Sequence, residues 1–293
     1  MSRTRQFLYN RLTALAANNR EATWEKSLLQ AIYNKFLATG NPLVHTKIEN
    51  FEIIVPFSET LPHILGSEQE SLKRFLAFIH NQIYIRSNSN SIILAGAETG
   101  SLLPFLPEKA AILAIEGNQL YFDTLLKQFS GLPNVHFEPA RITNQEIDEV
   151  LDILPGKVVS MPLNWVLQSS SHWMHSKWLI INNSVLLPAI LESGLPWLNQ
   201  EMPLLQIRLI PNHFFYSETE IKQLFQLARD AGYWFLTGFT LSGKKIHTCT
   251  VIDHTGIQNL LRHAKTTPEG MIWIVLLSGK EKELHQEITQ SHL

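Results

Sequence analysis

Ser91-Ile92-Ile93-Leu94-Ala95-Gly96-Ala97-Glu98-Thr99-Gly100-Ser101-Leu102-Leu103, with Ala111-Ile112-Leu113-Ala114-Ile115-Glu116 behind it, sets two apolar runs on either side of a glycine-framed turn. An apolar strand runs into a turn framed by Gly96 and Gly100, and the turn opens into the helical Ser101-Leu102-Leu103. A second apolar strand ends in Glu116, and a helix and the strand Asn134-Val135-His136-Phe137 follow. This is the layout of a β-α-β unit of the nucleotide-binding kind. Paired glycines after a buried strand let the backbone approach a ligand, and an acid about twenty residues on can take ribose hydroxyls. A second reading of the same residues stays open, with the glycines as a tight strand-to-helix turn and Glu116 as a solvated strand-end acid.

Outward from this unit, apolar runs and helical patterns alternate. Towards the amino terminus, Phe7, Leu8, Leu12, Leu15 and Ala16 recur at helical spacing, as do Trp24, Leu28, Leu29, Ile32, Tyr33 and Phe36. Gly40-Asn41-Pro42 stops the second helix, Phe51 to Pro56 reads as a short strand, and Glu68 to Ile83 as a helix. Towards the carboxyl terminus, Lys157 to Met161, Trp178 to Asn182 and Leu204 to Ile210 read as strands. An amphipathic helix runs from Ser217 to Gly232, with Ser217 and Glu220 as a capping box. Tyr233 to Leu236 and Ile246 to Ile252 flank a turn like an antiparallel hairpin. Strands alternating with helices of this length imply an α/β sheet covered on both faces. The expected organisation is a helical extension over 1–50, a Rossmann-like domain over 51–255, and a helix-strand-helix addition over 256–293 packed on the core.

With 293 residues, 45% hydrophobic and 17% charged, the chain buries a substantial core. Its net charge of -2 and lack of a basic run make nucleic acid an unexpected partner. The apolar run Met271 to Leu277 is too short to span a bilayer, and Met1-Ser2-Arg3-Thr4-Arg5 opens no secretory signal. A single cysteine, Cys249, excludes an internal disulfide and fits a reducing, cytoplasmic setting. It reads as a buried small hydrophobe.

Laid end to end, residues 50 to 255 resemble the FkbM-type S-adenosylmethionine-dependent methyltransferases, with a Rossmann-like class I methyltransferase sheet. The resemblance rests on order and spacing. Leu94 stands where that family ends its first strand in an acid, Gly96 and Gly100 hold the glycine places, and Glu98 replaces an asparagine. The family's Glu-Pro appears as Glu116-Gly117, followed by Asn118, and its Leu-Asp pair as Leu163-Asn164. Its Lys-Ile-Asp-Val-Glu-Gly stretch reads Ile180-Ile181-Asn182-Asn183-Ser184-Val185, and Ala231-Gly232-Tyr233 matches its closing signature. The resemblance implies a cofactor site at Gly96, Glu98, Gly100, Glu116, Asn118 and Asn182.

Acids are missing from that pattern at Leu94, Asn164, Asn182 and Ser184. Hydrogen bonds to charged groups contribute roughly 1.5–3 kcal/mol each, so losing two or three weakens a micromolar ligand to the point of uselessness. Glu98, expected at a helix N-terminus, would repel an incoming carboxylate there. Asn182 and Asn183 can hydrogen-bond but cannot act as a general base near neutral pH. The expectation is therefore a catalytically inactive methyltransferase-like protein, without cofactor, serving as an adaptor subunit of a larger, bacterial protein assembly. The alternative is an active S-adenosylmethionine-dependent O-methyltransferase on a small molecule, sugar or peptide.

Other features carry two readings each. His172 and His175 have metal-capable helical spacing but lack a third ligand, so no metal is expected. His213 is a packed loop residue or a residue of the pocket mouth. Trp173, Met174 and Trp178 are core residues or, as a cluster of aromatics and methionine, candidate interface anchors.

Overall fold

The computed structural model describes residues 3–17, 23–48, 51–59, 68–144, 157–168, 172–209, 218–266 and 272–290. Helices α1 (Arg3–Ala17) and α2 (Thr23–Leu37) pack together and precede an antiparallel hairpin, β1 (Leu43–Ile48) with β2 (Phe51–Pro56). Helix α3 (Gln69–Ser87) leads into β3 (Ser91–Ala95), β4 (Ala111–Ile115), α4 (Gln119–Phe129) and β5 (Val135–Glu138). Strands β6 (Ala140–Ile142) and β7 (Val159–Met161) form a short parallel ladder of their own, followed by α5 (Leu163–Gln168). The chain continues through β8 (Trp178–Ile181), α6 (Leu187–Ser193), α7 (Leu195–Glu201), β9 (Leu204–Leu209) and α8 (Glu218–Asp230). It ends with β10 (Tyr233–Phe239), β11 (Lys245–Thr250), α9 (His254–Thr266), β12 (Ile272–Ser278) and α10 (Lys282–Gln290).

The large sheet has the order β11-β10-β12-β9-β8-β3-β4-β5. From β9 to β5 every pairing is parallel, whereas β12 runs antiparallel to both β9 and β10, and β11 antiparallel to β10. The parallel part is thus wound in the order 3-2-1-4-5, and the winding reverses between β3 and β8. In sheets of this kind ligands bind outside the carboxyl ends of the strands at that reversal.

Strand side chains alternate between two apolar layers, as burial on both faces requires. Ile92, Leu94, Trp178, Ile180, Trp273 and Val275 face a layer built from α1, α2, the β1–β2 hairpin, α3, α4 and α10. Ile93, Ala95, Leu179, Ile181, Ile274 and Leu276 face a layer that includes α5, α6, α7, α8 and α9. The sheet is Rossmann-like, of the class I methyltransferase kind, with helices on both faces and helices at its amino-terminal end.

Several expectations need correction. The boundary at residue 50 falls inside a hairpin, so the amino-terminal extension is two helices plus β1 and β2. The boundary at 255 cuts the sheet itself, because β12 is inserted between β9 and β10 instead of lying on the core as an addition. The run around Lys157 to Met161 forms β7, outside the large sheet. Trp178 is fully buried in β8 and Trp173 is 6% exposed, so neither is available as a surface anchor. Met174, half-buried beside them, packs against the second layer, and its carbonyl accepts from Trp197 Nε1 at 2.7 Å. The Ser217 cap and His213 lie outside the described residues.

A chain ended at residue 255 will leave β9 and β10 without the strand that joins them. It is expected to lose cooperative thermal unfolding by circular dichroism; a retained sharp transition would show that β12 is the accessory piece the sequence suggested.

Candidate functional site

The six residues expected to hold a cofactor do come together, at the carboxyl ends of β3, β4 and β8. Each is already engaged by the protein. Glu116 is 6% exposed. Its Oε2 accepts from the Glu98 backbone N–H at 2.6 Å, and its Oε1 from Asn118 N–H at 2.7 Å. Burial pushes the Glu116 carboxyl up from its ordinary range, opposed by these N–H groups, that of Gly117 and the nearby Arg141. Asn118 is the N-cap of α4, accepting from the N–H groups of Leu120 and Tyr121. Asn182 is fully buried and donates to the Gly96 carbonyl at 3.1 Å, while its Oδ1 has no partner.

The glycines accommodate the protein's own side chains. Both have positive φ, at +73° for Gly96 and +93° for Gly100. A Cβ on Gly100 would lie 2.4 Å from the Phe129 ring of α4, and one on Gly96 would lie 3.1 Å from Asn183 Cβ. Between them Glu98 is also left-handed, with φ +53°, a conformation that costs a non-glycine residue about 1 kcal/mol or more. The N–H held by Glu116 pins it there.

The helix expected after this turn does not form. Only a 3₁₀ turn, Leu103–Phe105, follows it. Pro104 lacks an N–H to donate, and with Pro107 just beyond, no helical ladder can build. Glu98 therefore stands at no helix N-terminus, and the anion cradle such a terminus offers is missing.

Residues outside the expected set also meet at this end of the sheet. Glu59, in the loop after β2, is buried, and its Oε2 accepts from Ser101 Oγ at 2.7 Å. The same oxygen lies 3.6 Å from Arg208 Nη1, and Glu98 Oε2 lies 4.0 Å from Arg208 Nη2. Arg208, on β9, is 3% exposed, and its Nε and Nη1 lack hydrogen-bond partners. Gln206, two residues earlier on the same face, is fully buried with both amide atoms unpartnered. Tyr9 and Tyr33 of the first two helices donate to the carbonyls of Glu59 and Phe57. Asn41 donates to Tyr121 Oη at 3.0 Å, and the Gln128 side chain bonds both backbone groups of Ile54. These bonds tie the β1–β2 hairpin and the segments flanking it to α1, α2 and α4. The sequence held one signal for this: Gln206 and Arg208 occupy alternate positions of an otherwise apolar strand.

Other candidates resolve as structural. Cys249 is buried, its thiol pushed up to about 12 by burial and Asp253, which fits an inert packing residue. His175 Nδ1 lies 3.3 Å from Glu201 Oε1, and no group of three or more metal-capable side chains occurs among the described residues. Among those residues, no helix is long and apolar enough to cross a membrane.

No family model and no curated protein matches the chain. Solved structures that resemble it include the plantazolicin methyltransferase BpumL in complex with SAH, at 12% identity and a TM-score of 0.41 over 94% of this chain and 99% of that one. A precorrin-6y C5,15-methyltransferase from Geobacter metallireducens shows 12% identity and a TM-score of 0.36, covering 69% and 86% of the two chains. A TehB-like SAM-dependent methyltransferase from Corynebacterium glutamicum shows 10% identity and 0.38, covering 72% and 98%. These likenesses are distant, and the fold class rests on this chain's own strand order.

Two substitutions separate a structural from a ligand-holding role. Glu116→Ala strips the acceptor from two backbone N–H groups and is expected to lower stability by about 2–4 kcal/mol in urea unfolding. Gly100→Ala should cost about 1–3 kcal/mol, because the new methyl meets Phe129 on a left-handed backbone. Unchanged midpoints for both would return these residues to a cofactor role.

Proposed function

We propose that this protein is a catalytically inactive member of the methyltransferase-like fold, working as an adaptor subunit of a larger protein assembly. The observation that carries this reading is the Glu59 carboxylate, seated beside Ser101 and Arg208 at the reversal of the sheet, where a ligand would enter. The residues present do not suit a sulfonium-bearing nucleoside. Leu94 supplies no acid, Glu116 is spent on backbone N–H groups, and the turn after Gly100 opens into no helix. A ligand would have to displace bonds the fold already makes, and the crevice residues serve to hold the amino-terminal segment on the sheet. Assembly in a bacterial complex, in the cytoplasm, and a kinship with the FkbM-type branch are parts of the same reading.

Titration calorimetry of the purified protein with S-adenosylmethionine and S-adenosylhomocysteine, to millimolar ligand, tests it. No heat and no thermal shift are expected, with the protein copurifying in a larger complex. Micromolar binding, or methyl transfer by the pure protein, would overturn the reading.

A further inference from the structure

Two glutamine side chains occupy the outer edges of the β1–β2 hairpin at the same rung. Gln6 of α1 accepts from the His45 N–H at 2.9 Å and donates to the His45 carbonyl at 2.7 Å. Gln128 of α4 accepts from the Ile54 N–H and donates to the Ile54 carbonyl at 3.1 Å. His45 and Ile54 are cross-strand partners in the ladder. Each amide spends its second N–H on an anchor, Gln6 on Asn10 Oδ1 at 2.8 Å and Gln128 on the Thr99 carbonyl at 2.9 Å. A primary amide offers the donor and acceptor of a peptide group, so each glutamine stands where the backbone of a further strand would pair.

This central rung is where the hairpin lacks another guard. Backbone groups of alternate residues face outward, so Leu43, His45 and Lys47 form the edge of β1, and Glu52, Ile54 and Pro56 that of β2. Leu43 is the first residue of its strand, Pro56 has no N–H, and Lys47 and Glu52 carry charges that discourage strand addition. Edges of the large sheet are guarded in the same ways. Strand β5 has four residues between Pro133 and Pro139, and β11 carries Lys245 beside a register shift. The two hairpin edges differ in access, since the Gln128 bonds are part-buried and the Gln6–His45 bonds are exposed. Val44, Ile48, Ile53 and Val55 turn one face of the hairpin into the apolar layer that includes Leu8 and Leu12 of α1. His45, Lys47 and Glu52 are exposed on the other face, and Phe7, next to Gln6, is 68% exposed.

We propose that the outer edge of β1 is a strand-addition surface for β1 of a second copy of this chain, held closed in the single chain by the Gln6 amide. The exchange is amide for amide. Peptide groups of the incoming strand take over both His45 bonds and the exposed Gln6 amide passes to water, so no polar group is left unpaired. Antiparallel pairing about a twofold axis at His45 sets Leu43 opposite Lys47 of the second copy, so the lysines do not oppose each other. The two hairpins then join into one four-stranded sheet, a sturdier unit than a two-stranded one. A twofold contact of this kind closes at the dimer. The proposal does not depend on the protein being inactive.

Sedimentation equilibrium of wild type, Gln6→Ala and the double variant Q6A/K47P, from micromolar to millimolar protein, tests it. Gln6→Ala is expected to dimerise at least about tenfold more tightly than wild type, with the mass levelling off at two chains. Lys47→Pro removes an N–H that the incoming strand needs while sparing the ladder to β2, and it is expected to return dimerisation to the wild-type level. Exchange of the His45 amide should be fast in dilute Gln6→Ala and protected once the variant dimerises. A folded Gln6→Ala chain with wild-type association would overturn the proposal. So would association that survives Lys47→Pro or that runs on beyond two chains. Should Gln6→Ala fail to fold, Gln6→Glu takes its place: the carboxylate accepts from the His45 N–H but has no proton for the carbonyl, so tighter dimerisation is again expected. None of these outcomes bears on the calorimetric test of cofactor binding.

Discussion

A guanidinium that is 3% exposed, on the fifth strand of the parallel run, is the constraint around which the carboxyl end of this sheet is organised. An isolated charge at that depth is untenable, and removing one partner of a buried pair is strongly destabilising. Arg208 therefore demands a carboxylate, and the chain brings Glu59 to it from a segment outside the sheet. Everything that fastens that segment follows: the two tyrosines donating to loop carbonyls, the Gln128 side chain on Ile54, and Asn41 on Tyr121. The amino-terminal helices are thus tied to the sheet through polar groups as well as through the apolar layer containing Tyr9, Tyr33 and Phe57.

The same constraint separates the fold from the chemistry such folds usually carry. A doubly wound sheet offers a crevice at its reversal, and occupancy of that crevice is decided by side chains, not by topology. Here Gly96 and Gly100 make room for Asn183 and Phe129, Asn118 caps a helix, and Glu116 holds the turn against β4. A site whose polar groups are satisfied internally has little left to offer a ligand. The amide of Gln206, the Oδ1 of Asn182, the Oγ1 of Thr99 and the Nε and Nη1 of Arg208 are exceptions, buried without hydrogen-bond partners. They mark where ordered water is expected to enter.

Strand positions were legible in the sequence because burial on two faces demands short apolar runs. Ser91 to Ala95 and Ala111 to Ile115 therefore match β3 and β4 residue for residue. Sheet order was only partly legible. Nothing local to Met271 to Leu277 says that the last strand inserts antiparallel between β9 and β10, since that pairing is fixed by long-range packing. The hairpin was half read, because Leu43 to Ile48 mixes His45, Thr46 and Lys47 with apolar residues and lacks the contrast of a core strand. At the site, Glu116 holds the Glu98 and Asn118 N–H groups and Asn182 bonds the Gly96 carbonyl, contacts that join the strand ends the sequence pointed to. These partners were not legible, because a hydrogen bond from a side chain to the chain's own backbone leaves no mark on spacing. The missing helix was readable in hindsight from Pro104 and Pro107, and Glu98 from its place in a turn position where asparagine tolerates a left-handed backbone better.

The pairing of Glu59 with Arg208 is the claim on which the rest depends, and a double-mutant cycle measures it directly. Glu59→Gln, Arg208→Met and the double variant are compared with wild type by urea unfolding at pH 6. A coupling of about 1–3 kcal/mol, with the double variant more stable than the sum of the single losses implies, is the predicted result. Additive losses would mean that the two side chains do not sense each other, and that the amino-terminal segment is not held in the crevice by this charge.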